Sequence, residues 1–275
     1  MSGNLRAAYA EIDAEHVCKS FDRRGSGSPA VDDISMKVTS SSAIGIVGES
    51  GSGKSTLVRM MCGLLSPTTG SVRYTGAELN GVLSSKAGRR EFRSKVQYVA
   101  QDTTSSFDPR RTLRDAVRLP AVRLLGLDNR AADVRVDETL ESLEIHPSMA
   151  DRYPSEVSGG QRQRFSIARA LVVRPRILLC DEVVSALDVS VQGAILNMLR
   201  RYCIESECGL VFVSHGLPAT AFIARDLVVM RNGVIVEQGS TDDVVERPQD
   251  PYTAELLDAY RGDEAVEQLA VAAAR

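Results

Sequence analysis

Apolar positions along the chain follow two rhythms, one of period two and one close to 3.6. Ala8 to Val17 and Val31 to Val38 alternate roughly with period two, separated by a Gly/Ser-rich stretch from Arg24 to Pro29, which predicts two strands joined by a loop. Ala43 to Val47 is a short apolar run leading straight into glycines. Ser55 to Leu65 then has helical spacing, closed by Gly63 and Pro67. Ser71 to Tyr74 and Lys95 to Ala100 predict further strands. From Gln101 to Tyr153 the spacing turns helical, over Leu113 to Leu127 and Ala131 to Ile145. Pro120 is expected to kink or break the first helix, and Asp128 or Asn129 to cap the second. Gly159 to Val173 is a further helix. Arg176 to Cys180 and Leu210 to Ser214 are buried strands. Between them Ser190 to Cys203 is amphipathic, with Val191, Ile195 and Leu199 on one face. Leu227 to Met230 and Val234 to Glu237 flank Asn232-Gly233, a strong hairpin signal. Residues Gly262 to Arg275 are Ala-rich and predict a marginal helix or a frayed tail.

Unbroken apolar strands alternating with helices imply a mostly parallel sheet covered on both faces. The 275 residues suit one large domain, or a core with a small subdomain. The apolar share of 43% and charged share of 25% are those of an ordinary globular protein. Net charge is −3 and the pI about 5.8, which leaves no electrostatic footprint for nucleic acid. The five cysteines (Cys18, Cys62, Cys180, Cys203, Cys208) include no C-x-x-C pair and predict reduced, buried thiols. His16, His146 and His215 share no ligand spacing. No apolar run is long enough to span a bilayer, and the first residues lack the apolar stretch of a signal peptide. Any membrane role is therefore expected to pass through a partner.

The chemistry is concentrated in a few stretches. Gly48-Glu-Ser-Gly-Ser-Gly-Lys-Ser55 fits G-x-x-x-x-G-K-[ST] and sits between a predicted strand and a predicted helix, the context a phosphate cradle requires. Gly48, Gly51 and Gly53 let the backbone curl round an anion. The N–H groups they free, with the helix N-terminus, favour phosphate. Lys54 is expected to reach the β- and γ-phosphates, and Ser55 to ligate Mg²⁺. Ile177 to Cys180 followed by Asp181-Glu182 is an apolar strand ending in two carboxylates. Asp181 is expected to hold the metal through water and Glu182 to act as general base. His215 follows another buried strand, where it can orient the attacking water.

Val157-Ser-Gly-Gly-Gln161, followed by Arg162-Gln163-Arg164, resembles the signature loop of ATP-binding-cassette (ABC) ATPases. Ser185-Ala-Leu-Asp188 resembles the family's D-loop, Gln101 its Q-loop glutamine and His215 its switch histidine. Phe21 is similar to the aromatic that stacks on adenine, although a strand-end core residue would read the same way. The resemblance covers nearly the whole chain. It implies an α/β fold: a P-loop NTPase core with a mostly parallel sheet, an N-terminal antiparallel β subdomain and an α-helical subdomain insert. The implied boundaries are a core and β subdomain at 1–100 and 165–247, the helical subdomain at about 101–164, an importer-like extension at 248–260 and a tail from 261. It implies ATP and Mg²⁺ as ligands. Nucleotide contacts would come from Phe21, Gly48, Glu49, Ser50, Gly51, Ser52, Gly53, Lys54, Ser55, Thr56, Ser158, Gly159, Gly160, Gln161 and Asp188. Ser55, Gln101 and Asp181 would serve the metal, and Lys54, Gln101, Glu182 and His215 catalysis. In this family the Ser158 loop of one copy closes on the cradle of another, so ATP joins two protomers.

Three further stretches resemble dipeptide and oligopeptide importers: Ser105-Ser-Phe-Asp-Pro-Arg110, Asp188-Val-Ser-Val-Gln192 and Asp250-Pro-Tyr-Thr253. That subfamily implies a peripheral subunit on the cytoplasmic face of the membrane. Its partners would be permease subunits, a second cassette and, indirectly, an extracytoplasmic binding protein, with no nucleic acid. Phe107, Asp108 and Pro109 would lie near a groove for a permease coupling helix. Apart from the resemblance, Pro251-Tyr252 reads as a helix start bearing a surface aromatic. Val157, Ala100, Val184 and Gly216 depart from the family's usual Leu, aromatic, Pro and Asp. The last removes a carboxylate beside His215 and is expected to slow or retune hydrolysis. The cysteine-bearing C-terminal segment of some relatives is not seen, so no iron–sulfur cluster is expected. The alternatives are a non-transport cassette acting on nucleic acid or ribosomes, disfavoured by one cassette and no heptad run, and a weakly hydrolysing partner cassette.

Overall fold

The computed structural model describes residues 9–22, 28–102, 105–185 and 187–261. The predicted tail from Gly262, the first residues and part of the Arg24 to Pro29 loop lie outside them. Two sheets form the frame. An antiparallel sheet has the order β2-β1-β4-β5, with β1 at Glu11–Lys19, β2 at Val31–Thr39, β4 at Thr69–Tyr74 and β5 at Ala77–Glu78. The larger sheet has the order β10-β9-β3-β8-β7-β6. Its strands are β3 (Ala43–Val47), β6 (Val96–Val99), β7 (Ile177–Asp181), β8 (Gly209–Val213), β9 (Asp226–Arg231) and β10 (Val234–Ser240). All its pairings are parallel except β9–β10, which forms the expected hairpin. Asn232 and Gly233 both have positive φ there, 49° and 85°, as a type I′ turn requires.

The apolar runs of β7 and β8 are unbroken because both faces of these strands are covered. Ile177 and Leu179 of β7, with Val211 and Val213 of β8, face one core together with α1 (Lys54–Met61) and the antiparallel sheet. Leu178, Cys180, Leu210 and Phe212 face a second core. That core is filled by α4 (Leu113–Pro120), α5 (Asn129–Ser142), α6 (Gly159–Leu171) and α7 (Val189–Glu205). A third cluster lies against β9 and the residue before the glycine loop. It joins Val47, Leu227 and Val229 to α8 (Leu217–Ile223), α9 (Thr241–Glu246) and α10 (Pro251–Arg261).

Several local expectations are met in detail. Asp128, not Asn129, caps α5, its carboxylate accepting from the Ala131 N–H at 2.8 Å. The helix from Leu113 stays α-helical to Pro120 and passes into a π-helical turn, Ala121–Leu125, before Gly126 ends it with φ 75°. Four helices were not expected: α2 (Leu79–Ser84), α3 (Lys86–Lys95), α8 and α9. The sequence of α2 and α3 is mostly polar, and α3 buries only Phe92, whose ring meets Tyr74 edge-on. Of the cysteines, Cys180 and Cys208 are buried and Cys18, Cys62 and Cys203 half-buried, all as free thiols. Burial pushes the Cys180 thiol well above its usual pKa, which leaves it a packing residue.

Asp128→Ala removes one cap and leaves the core intact. It is expected to cost about 1 kcal/mol, seen as a lower urea midpoint with an unchanged slope.

Candidate functional site

The order of the parallel strands decides what meets. β3, β8, β7 and β6 lie side by side, and the glycine loop, His215, Asp181-Glu182 and Gln101 follow their carboxyl ends in that spatial order. The register keeps those ends level, since Ile46 and Asp181 both pair with Val213, and Val99 pairs with Cys180. Residues far apart in sequence therefore share one rim, where α/β sheets bind ligands.

The glycine loop leaves β3 and enters α1. Gly48, Gly51 and Gly53 have φ of 148°, 85° and 100°. A Cβ on Gly48 would lie 2.1 Å from the Met230 carbonyl oxygen, and one on Gly53 would lie 2.2 Å from that of Ala30. Nothing lies within 4 Å of the place a Gly51 Cβ would occupy, so that part of the loop opens outward. The first N–H groups of α1, from Lys54 through Thr56, have no partner within the helix, as at any helix start. Lys54 is 3% exposed. Its ammonium donates to the carbonyls of Gly48 and Glu49, each at 2.7 Å, and to Ser52 Oγ at 3.3 Å. Burial pulls the pKa of Lys54 below its usual value, against the opposing pull of Glu182, Asp181 and Glu49.

Asp181 is 2% exposed and is the meeting point of two motifs. Ser55 Oγ donates to its Oδ1 and the Tyr98 hydroxyl to its Oδ2, both at 2.7 Å. Arg59 stands 3.8 Å from Oδ2 and donates to the Tyr98 oxygen at 3.3 Å. Glu182, next in the chain, has φ 51°, the left-handed region that a non-glycine residue enters at a cost. Its N–H donates to the Val213 carbonyl at 2.9 Å, and one carboxylate oxygen lies 3.9 Å from His215 Nδ1. Gln101 donates to Ser185 Oγ at 3.3 Å, and Ser185 Oγ in turn donates to the Glu182 carbonyl at 3.0 Å. The rim thus brings together Lys54, Ser55, Asp181, Glu182, His215 and Gln101.

The donors fit a nucleotide and a hard cation. The loop is open at Gly51, while a Cβ on Gly48 or Gly53 would collide with the Met230 or Ala30 carbonyl and force the loop to shift. Ser55 and Asp181 give a hydroxyl and a carboxylate side by side, the oxygen ligands that Mg²⁺ takes. An acid and a histidine stand next to them, able to hold and orient a water.

Ser158 lies elsewhere. It caps α6, accepting from the Gln161 N–H at 3.3 Å, while the Gln161 side chain accepts from the Ser158 N–H at 2.9 Å. Ser158 and Gly159 are exposed, and nothing lies within 4 Å of a Gly159 Cβ. A Cβ on Gly160 would come 2.9 Å from Val191 Cγ1, so α7 approaches too closely for a side chain there. A cavity of about 500 Å³ runs past Ser158, Gly160, Gln161, Arg164 and Asp188. None of its lining residues belongs to the glycine loop.

Phe21 is 66% exposed, which removes the reading of a strand-end core residue, and the Lys19 ammonium lies 5.6 Å from its ring centroid. The surface-aromatic reading of Tyr252 also fails, for it is 3% exposed and its hydroxyl accepts from the Glu49 N–H at 3.0 Å. Phe107 is buried beneath the Arg169 guanidinium, 4.7 Å from its ring centroid, so of the 107–109 segment Asp108 and Pro109 are the surface residues. Tyr98, Arg59 and Ser185 were not anticipated as site residues. Val157 and Val184 are buried in the large core and serve packing. Ala186 of the Ser185 to Asp188 stretch lies outside the described residues.

The ABC transporter family model matches residues 31–185. A probable peptide ABC transporter ATP-binding protein of Sinorhizobium fredii is 41% identical over 230 residues, covering 84% of this chain and 65% of that one. A putative peptide import ATP-binding protein of Brucella ovis is 37% identical over 88% of this chain and 76% of its own. The oligopeptide transport ATP-binding protein AppF of Bacillus subtilis is 38% identical, over 86% and 72% respectively. Among solved structures, the ATP-binding cassette MJ0796, dimeric and bound to ADP and Pi, aligns with TM-score 0.76 at 25% identity. That match covers 84% of this chain and 98% of the other. The cbiO1 cassette of Clostridium perfringens shares the fold, with TM-score 0.75 over 90% of this chain and 98% of the other, at 23% identity.

Tyr98→Phe would leave a buried carboxylate oxygen short of a donor. The expected loss is about 1.5–3 kcal/mol of stability at pH 7, checked by urea unfolding; an unchanged midpoint would show that the Tyr98–Asp181 bond adds nothing.

Proposed function

Since the chain belongs to the ABC transporter family of ATPases, we propose that it is the energising subunit of a peptide importer, working as one of two cassettes that close on ATP. The observation that carries this reading is the shared rim, where the glycine loop, Asp181, Glu182, His215 and Gln101 converge, while Ser158 and Gly159 are exposed beside a cavity that the glycine loop does not line. The names of the Sinorhizobium, Brucella and Bacillus relatives support peptides as the cargo class. The dimeric MJ0796 structure supports a paired arrangement.

In this reading the loop amides and Lys54 bind the β- and γ-phosphates. Lys54 is already desolvated, so its charge acts at close range on an incoming phosphate. The exposed ring of Phe21 stacks on the base. Ser55, Asp181 and Gln101 hold Mg²⁺, which when bound supplies positive charge to the phosphate oxygens. Glu182 accepts a proton from the attacking water, and His215 orients that water from the adjacent strand end. The capped, exposed start of α6, with Ser158 and Gly160, meets the γ-phosphate held by a second copy. Asp188 stands beside it. Asp108 and Pro109 face the permease. No helix among the described residues is long and apolar enough to cross a membrane, and attachment at its cytoplasmic face follows from the permease contact.

A weakly hydrolysing partner cassette is the second reading, favoured by Gly216. It caps α8 without a side chain, at φ −87°, and a Cβ there would find only Ser214 Oγ, at 3.5 Å. A Cβ is accommodated there at ordinary contact distance. Gly216→Asp is expected to raise steady-state ATP turnover several-fold, and equal turnover would remove Gly216 as the brake.

Glu182→Gln tests the leading reading. ATP binding should persist while turnover falls at least roughly 100-fold, and the variant should form an ATP-dependent dimer on gel filtration. Undiminished turnover would remove Glu182 from the reaction, and a trapped dimer with Ser158 far from nucleotide would overturn the composite site.

A further inference from the structure

We infer that Tyr252, in the first turn of the C-terminal helix, is a positioning residue for the phosphate loop, its hydroxyl setting the Glu49 peptide in the orientation that receives nucleotide. This inference rests on the nucleotide-binding role proposed for that loop.

The Glu49 peptide groups are held from both sides. The N–H donates to the Tyr252 hydroxyl at 3.0 Å, across 203 residues of sequence. The carbonyl accepts from Lys54 Nζ at 2.7 Å and from the Ser52 N–H at 3.2 Å. Tyr252 and Lys54 thus grip one residue, and turning it would disturb the lysine as well as the phenol. Such a grip keeps the loop in one form before ligand arrives and lowers the ordering cost of binding.

The phenol is itself firmly placed. Its ring packs in the cluster that includes Val47, the residue just before the loop, and Val229 of β9. The Arg231 guanidinium lies 4.6 Å from the ring centroid. The Tyr252 N–H donates to Asp250 Oδ1 at 2.8 Å. Just before it, the N–H groups of Gln249 and Asp250 donate to the two carboxylate oxygens of Glu237 in β10, at 2.9 and 3.1 Å. A continuous bonded path therefore runs from the far edge of the main sheet through the start of α10 to the phosphate loop. A phenylalanine ring would fill the same space; the hydroxyl adds the bond to Glu49.

Full-length Tyr252→Phe keeps the ring and removes that bond. Titration with a fluorescent ATP analogue (mant-ATP) in Mg²⁺ is expected to show roughly three- to tenfold weaker binding. The KM for ATP should rise by a similar factor with kcat little changed, and the thermal midpoint is measured alongside. A purely structural role would lower the midpoint and leave affinity alone. Glu237→Gln, which loosens the start of α10, should weaken binding in the same direction by less, and it carries the test should Tyr252→Phe fail to fold. Equal or tighter binding by the variant that folds overturns the positioning role while leaving the proposed function standing. Wild-type protein that fails to bind the analogue overturns both.

Discussion

The carboxylate of Asp181 sits at the carboxyl end of a central strand, 2% exposed, and receives hydrogen bonds of 2.7 Å from Ser55 and from Tyr98. A buried charge of this kind is costly unless its oxygens are occupied. The serine opens the helix after the glycine loop, and the tyrosine lies on the neighbouring strand β6. Meeting the needs of one carboxylate therefore ties together three segments that are distant in sequence. The depth of α1 beneath the antiparallel sheet, the register of β6 on β7 and the place of the loop all agree with that contact. The same oxygens lie beside the start of α1 and the glycine loop that precedes it, so what steadies the fold also places the candidate site.

Around this point the glycine loop has little freedom. The Met230 and Ala30 carbonyls press on Gly48 and Gly53 from the hairpin and from the approach to β2. The Gly233 N–H donates to the Ser52 carbonyl at 3.1 Å, which joins the loop to the Asn232-Gly233 turn. Lys54 folds back onto the carbonyls of its own loop. A buried ammonium satisfied in this way already has its desolvation met, and phosphate oxygens can replace carbonyl oxygens as its partners. The loop is thus held by contacts that come mostly from outside its own sequence.

That division explains what was legible beforehand. β7 and β8 announced themselves because strands covered on both faces must be apolar throughout. Asn232-Gly233 and the cap at Asp128 were legible because turn and cap chemistry is local. The glycines, Lys54, Asp181, Glu182 and His215 stood out because their spacing relative to predicted strands carries the meaning. The helices from Leu79 to Lys95 were missed because their mostly polar residues bury little beyond Leu79 and Phe92. The left-handed backbone of Glu182 has no local sequence signal, and its N–H is held by the Val213 carbonyl of another strand. Tyr98 and Ser185 act on partners 83 and 84 residues away, and no local period encodes such a pairing.

The residues of the site differ in how they are held, and the difference has a physical direction. Lys54, Ser55 and Asp181 are locked by bonds within the chain. His215, Gln101 and Ser158 are exposed, with His215 Nδ1 3.9 Å from Glu182 and Gln101 bonded to Ser185 at 3.3 Å. Groups that bind the substrate's fixed charge gain from rigidity, because every degree of freedom removed beforehand is one that binding need not remove. Groups whose positions must answer to a second protein gain from remaining movable until that protein arrives. Ser158 shows this most clearly: its side chain satisfies its own helix start and leaves the Gly159 surface open. The glycine loop of the same copy lines no part of the cavity beside it. Under the proposed pairing, a cassette that held phosphate with its glycine loop would need a second copy to bring an exposed Ser158 to it, which would couple occupancy of the site to contact between copies.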